Sequence, residues 1–143
     1  MRTFEWSQSL MIGHERIDSD HRVLIKLMGD IEENLESGCD ADSLQDLFRQ
    51  FLGFLCAHCA YEEDLMHRLP PLYNLRVSEH CHNHALLIAE ARAVAKLLTP
   101  GMPCGEVLQT FQKTVIAMTR DLILDDAELV GILLLEERTV QPL

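Results

Sequence analysis

The sequence predicts an all-α protein, an antiparallel up-down-up-down four-helix bundle with an N-terminal arm, on three observations. Apolar residues recur at three- and four-residue intervals in four separate segments. Helix breakers fall between those segments, and no stretch alternates apolar and polar residues as a strand does. At 143 residues and 48% apolar content, the chain suits one domain that buries roughly two thirds of its unfolded surface. Residues 1–143 are therefore taken as a single domain, with the arm over about 1–16 and the bundle over about 17–135.

The arm lacks sustained periodicity but carries Trp6, Met11 and Ile12, which suits an extended segment packed over one end of a bundle. Asp18 or Ser19 is then placed to cap a first helix, whose stripe of His21, Leu24, Met28, Ile31 and Leu35 ends near Ser37-Gly38. A second helix, from about Asp42 to Arg68, aligns Leu44, Leu47, Phe51, Leu55, His58, Glu62 and Leu65. Leu69-Pro70-Pro71 forbids its continuation. Val77, His80, Cys81, His84, Leu87, Ala91, Val94 and Leu98 form the third stripe, which Thr99-Pro100-Gly101 stops. The fourth starts near Pro103 and runs through Leu108, Phe111, Val115, Met118, Leu122 and Leu129 to about Leu133, interrupted by Asp121, Asp125 and Asp126.

Twenty-three acidic residues against twelve Lys and Arg give a formal charge of −11, which repels nucleic acid and anionic lipid alike. The opening Met-Arg-Thr-Phe-Glu-Trp lacks the apolar run of a signal peptide, and no stretch approaches the ~20 apolar residues of a membrane span. These features predict a cytoplasmic protein with neither nucleic-acid nor membrane partners. Five cysteines, an odd number without an export signal, argue against a disulfide framework.

The chemistry sits in two short spacings, His58-x-x-x-Glu62 and His80-x-x-x-His84. Four residues on an α-helix advance about 6 Å and turn about 40° past one revolution, so each pair aims two donor atoms the same way. A polar ring on an apolar stripe needs a partner or costs roughly 1–3 kcal/mol. A hydrogen-bonded cluster is the plain alternative, but so many such groups are hard to satisfy without a cation. The inward candidates are His21, His58, Glu62, His80, His84 and one or more of Asp121, Asp125 and Asp126. This set exceeds the needs of one tetrahedral zinc. Imidazole and carboxylate donors with octahedral preference suit two iron or manganese ions instead, with carboxylates spanning the pair.

His14, His67 and His82 fall off the stripes and are expected to be solvated or to cap helices. Glu63 and Asp64 read as wet surface, with support to His58 or His21 as their other role. Cys56-x-x-Cys59 invites a zinc site with Cys81 and His84, against which stand its mid-helix position and its missing companion pair. Met28, Met66 and Met118 are core residues, at most lining a pocket for a diatomic ligand. No general base, nucleophile or organic-cofactor motif is evident.

In its order of motifs the chain resembles the hemerythrin family, particularly the bacterial hemerythrins. The likeness is carried by the Trp6 arm, Ile17-Asp18-Ser19-Asp20-His21, His58-x-x-x-Glu62-Glu63, a Pro-containing turn and His80-x-x-x-His84. The resemblance implies a non-haem diiron centre with oxo or hydroxo and carboxylate bridges, in which His21 and His58 serve one iron and His80 and His84 the other. Glu62 would bridge them. The family closes its signature with a histidine and, five residues on, a bridging aspartate. Asp126 fits that aspartate, which puts Asp121 where the fifth histidine stands. Helical geometry leaves Asp125 as a rival, since it lies about 40° from Asp121 whereas Asp126 lies about 140° away. The resemblance implies binding of O2 or another small ligand such as nitric oxide, as a carrier or as a redox or oxygen sensor that reports to a signalling partner protein. Asp121 as a further anionic ligand would lean toward a carboxylate-rich oxidase or peroxidase, and a zinc-stabilised structural bundle is the remaining reading.

Overall fold

In a computed structural model, which describes residues 5–38 and 40–140, four long helices account for most of the chain. They are α1 (Glu15–Ser37), α2 (Ala41–Met66), α3 (Asn74–Ala95) and α4 (Cys104–Val140). Two short 3-10 turns, Gln8–Leu10 and Pro71–Tyr73, precede α1 and α3. Each helix packs on its neighbours in sequence, and α4 closes on α1. This ring of contacts with short reversals is the four-helix bundle, and no strand occurs among the described residues.

The boundaries follow local chemistry. Helix α1 starts ahead of the expected Asp18 or Ser19 because His14 takes the capping place, its Nδ1 accepting the Ile17 N–H at 3.2 Å. Asp18 has different work. Its carboxylate accepts the N–H groups of Ile12 at 2.8 Å and Gly13 at 3.2 Å, pinning the arm to the helix. Gly13 sits at φ 92°, a left-handed conformation that a Cβ disfavours. Asp40 caps α2, accepting from the Ser43 hydroxyl at 2.6 Å and from the Asp42 N–H at 3.3 Å. Those bonds, Ser43 first, hold its carboxyl below the usual range.

Helix α3 ends before the Pro100-Gly101 stop signal, and the chain unwinds through Leu97, Leu98 and Thr99 by short-range turns. Helix α4 runs past the expected end near Leu133 to Val140. Nothing from Leu134 to Val140 is Gly or Pro, and the added turns have a partner: the Tyr73 hydroxyl donates to Glu136 Oε1 at 2.8 Å.

The interior divides along the bundle axis. One half is dry and apolar, built from Leu24–Leu35 on α1, Leu44–Leu55 on α2, Leu87–Val94 on α3 and Val107–Met118 on α4. Phe48 lies edge-on to Phe51 and Phe111, with ring centroids 5.7 and 5.9 Å apart, the arrangement aromatic quadrupoles favour. Glu32 intrudes there fully buried, accepting from Gln112 Nε2 at 3.0 Å, a position the periodicity did not assign to the core. The other half gathers the buried polar residues Asp18, Asp20, His21, His58, Glu62, His80, His84 and Asp126. No described helix is long and apolar enough to cross a membrane.

Candidate metal centre

All four helices feed one cluster. Helix α1 supplies His21, α2 supplies His58 and Glu62 one turn apart, α3 supplies His80 and His84 one turn apart, and α4 supplies Asp126. Because adjacent helices run side by side, the pairs of α2 and α3 face each other at the same level as the single donors of α1 and α4. Glu62 is fully buried and Asp126, His21 and His58 are each 1% exposed, so bulk water does not satisfy them.

Asp126 is the hub. Its Oδ2 lies 2.6 Å from His21 Nε2 and 3.0 Å from His58 Nε2, while Oδ1 lies 3.1 Å from His80 Nε2. One oxygen therefore faces the α1–α2 imidazoles and the other faces α3. Glu62 is shared through a single oxygen. Its Oε1 lies 3.0 Å from His84 Nε2 and 3.4 Å from both His58 Nε2 and His80 Nε2. The rings pair up, His21 with His58 at 5.2 Å between centroids and His80 with His84 at 4.6 Å.

These contacts govern the charges. Burial pulls the His58 imidazole toward neutrality, but the Asp126 hydrogen bond, the Glu62 and Asp126 charges and the Asp20 hydrogen bond outweigh it and raise the pKa to about 9. His80 follows the same balance to about 9, held by bonds to Asp126 and Glu62. Asp126 moves the other way: burial would raise its carboxyl, yet the bonds from His21, His58 and His80 hold it well below the usual carboxylate range. Protons thus occupy places where a cation fits. Two donor groups emerge, Glu62–His80–His84–Asp126 and His21–His58–Asp126, each with ligand atoms within 4.8 Å of one another.

The residues pass a further test of fit for cations. Glu62 Oε2 is buried in the cluster with no hydrogen-bond partner, a costly state for an acceptor unless something positive meets it. The two groups share Asp126.

Among the residues expected at the site, His21, His58, Glu62, His80, His84 and Asp126 are brought together. Asp125 is not, since it is turned outward to accept from Asn83 Nδ2 at 2.9 Å. Asp121 lies on α4, with its side chain outside the described part of the structure. Glu63 is less wet than expected, with Oε2 at 4.0 Å from His84 Nδ1 and a hydrogen bond to the Cys81 thiol. Burial, then Glu63, push that thiol up to about 11.

The cysteine readings need correction in part. Cys56, Cys59 and Cys81 are free thiols, and no donor group of three among the described residues includes a cysteine, so the Cys56/Cys59/Cys81/His84 zinc arrangement is not formed. Cys104 is disulfide-bonded, contrary to the expectation from cysteine count. The residue that sequence reasoning missed is Asp20, 4% exposed, whose Oδ2 lies 2.9 Å from His58 Nδ1.

Among the described residues, openings approach the cluster from two sides. An apolar cavity beside His21 is lined by Leu24, Ile25, Met28, Thr119, Leu122 and Ile123 and measures about 10 Å³, close to the roughly 10–15 Å³ that a single water requires. A larger cleft of about 50 Å³ between α3 and α4 reaches His80, beside Met66, Tyr73 and Arg76. It is crossed by the Arg76–Glu128 ion pair.

A four-helix bundle with a buried histidine and carboxylate cluster in one half of its interior defines a cation-binding helical protein. The sequence matches the profile of the hemerythrin HHE cation-binding domain over residues 12–124, and the chain belongs to that family. No curated protein and no solved structure matches it significantly.

Proposed function

We propose that the chain is a non-haem diiron protein that binds O2 or a similarly small diatomic ligand, as an oxygen-binding or redox- and oxygen-sensing module. The observation that carries the reading is the split of Asp126, one carboxylate oxygen toward His21 and His58 and the other toward His80. A carboxylate so divided is suited to bridge two ions, and Glu62, whose Oε1 faces imidazoles of both α2 and α3 and whose Oε2 is left without a partner, would be the second bridge. His21 and His58 would hold one iron, and His80 and His84 the other.

The iron pair would supply redox chemistry toward O2. The protein's own residues fix the donors, exclude bulk water and limit what enters. Iron is favoured over zinc by donor count and by the mixture of imidazoles with carboxylates able to span two ions. The cavity beside His21 supports a diatomic ligand, because its size admits a particle about as large as water and its walls are almost wholly apolar.

Metal analysis together with absorption spectra taken before and after admission of air tests the reading. Two irons per chain and visible bands that change with O2 are expected. One zinc per chain, colourless and indifferent to O2, overturns it.

A further inference from the structure

Of the imidazoles in the cluster, His58 has an arrangement that His21 and His84 lack. The remote nitrogens of His21 and His84, both Nδ1, are buried without a hydrogen-bond partner. The remote nitrogen of His58 faces a buried carboxylate, Asp20 Oδ2, at 2.9 Å. An ionised carboxylate is an acceptor alone, so His58 Nδ1 carries the hydrogen of that bond. Once Nε2 gives up its own hydrogen to a metal, its lone pair is directed into the cluster, on the side of Asp126 and Glu62.

Asp20 is itself braced. Arg16 Nε donates to Oδ1 at 3.1 Å and to Oδ2 at 3.3 Å. The Arg16 guanidinium lies over the Tyr61 ring, 4.4 Å from its centroid, and Tyr61 is in turn met edge-on by His14, with centroids 6.2 Å apart. The Arg16 side chain is 53% exposed and that of Asp20 6%. A line of contacts therefore runs from a surface cation, through a buried anion, to one ring of the cluster. Its two members act in opposite senses, because the carboxylate makes the imidazole a stronger donor and the guanidinium offsets that charge.

We infer that Asp20 is a positioning residue for the His21/His58 half of the centre: it fixes the His58 tautomer and strengthens His58 as a donor to oxidised metal, while Arg16 moderates that effect from the surface. The inference rests on the dinuclear reading above. It sets His58 apart from His84, whose Nδ1 lies 4.0 Å from the carboxylate oxygen Glu63 Oε2 and has no hydrogen-bond partner.

The test uses the full chain, stripped of metal, reloaded anaerobically with ferrous iron, and titrated electrochemically while its visible bands are followed. Asp20→Asn keeps an acceptor near His58 Nδ1 but removes the charge. Arg16→Gln removes the opposing charge at a solvent-exposed position, where folding is not at stake. Asp20→Asn is expected to weaken uptake of the second iron by about 10- to 100-fold, the usual effect of losing such a partner, and to shift the midpoint potential upward. Arg16→Gln is expected to retain two irons per chain and shift the potential downward. A purely structural contact does not give opposite signs. Two irons in the wild type with unmoved potentials in both variants, or shifts of the same sign, overturn this inference and leave the diiron reading standing. A wild type that takes up fewer than two ions removes both.

Discussion

At the scale of single residues, Asp125 and Asp126 separate cleanly although they are adjacent in sequence. Asp126 is 1% exposed and touches three imidazoles, whereas Asp125 accepts one bond from Asn83 across the α3–α4 seam. Removing one partner from a buried charged network leaves the others uncompensated, at a cost of about 3–5 kcal/mol. Asp126→Ala is therefore expected to destabilise the metal-free protein by about that much and to reduce iron to at most one per chain. Asp125→Ala should cost about 1 kcal/mol, the worth of a typical hydrogen bond, and leave metal content unchanged. Urea unfolding and metal analysis of the two variants check the contrast; equal effects would count against Asp126 as the bridge. The sequence made His58, Glu62, His80 and His84 visible as candidates because i,i+4 spacing on an apolar stripe is rare for polar groups. It left Asp20 and Glu32 invisible, because an acid on a helix ordinarily reads as solvated surface. Only the neighbouring helix reveals that each is covered, Asp20 by His58 and Glu32 by Gln112.

At the scale of elements, the four helices were legible from their stripes and some ends from their breakers, as at Ser37-Gly38, while the start of α1 and the end of α4 were not. Periodicity reports which face is buried, but an end depends on who caps it and what it meets. His14 begins α1 earlier than a Ser or Asp signal indicates, and Tyr73 gives α4 a contact beyond its expected end. Asp18, freed from capping, secures the arm through two backbone N–H groups. Asp18→Ala is expected to release that corner, raising hydrogen exchange at the Ile12 and Gly13 amides and lowering stability by about 1–3 kcal/mol, the cost of leaving buried donors unmade. The apolar half of the bundle should behave independently of the polar half. Phe111→Ala, at a fully buried position against Phe48, is expected to cost about 3–5 kcal/mol in urea unfolding with metal content unaltered. Loss of metal in that variant would show that the two halves are coupled rather than stacked.

At the scale of the whole molecule, the formal charge of −11 surrounds an interior that in the metal-free state is held by protons. His58 and His80 both have folded pKa values raised from 6.5 to about 9 by carboxylates they face after burial has acted against them. A raised value means that the folded state binds the proton more tightly than the unfolded chain does. The stabilisation is complete below about 6.5 and disappears as pH rises through about 9. Asp126 contributes with the opposite sign, since its depressed value adds stability above the ordinary carboxylate range and loses it in strong acid. Metal-free protein should therefore lose stability steadily between about pH 6.5 and pH 9, a window set by the two histidines. Metal binding requires the imidazoles to give up those protons, so loading should release protons near neutrality and become more favourable as pH rises. Protein loaded with metal is expected to show a flatter stability profile over the same window, because the cation has replaced the proton as the partner of Glu62 and Asp126. Urea midpoints measured from pH 6 to pH 9.5 with and without metal, with proton release followed by indicator dye in weak buffer, put this to the test. Parallel profiles for the two forms, or loading without proton release, would mean that His58 and His80 do not exchange protons for metal and that the cluster is a hydrogen-bonded core instead.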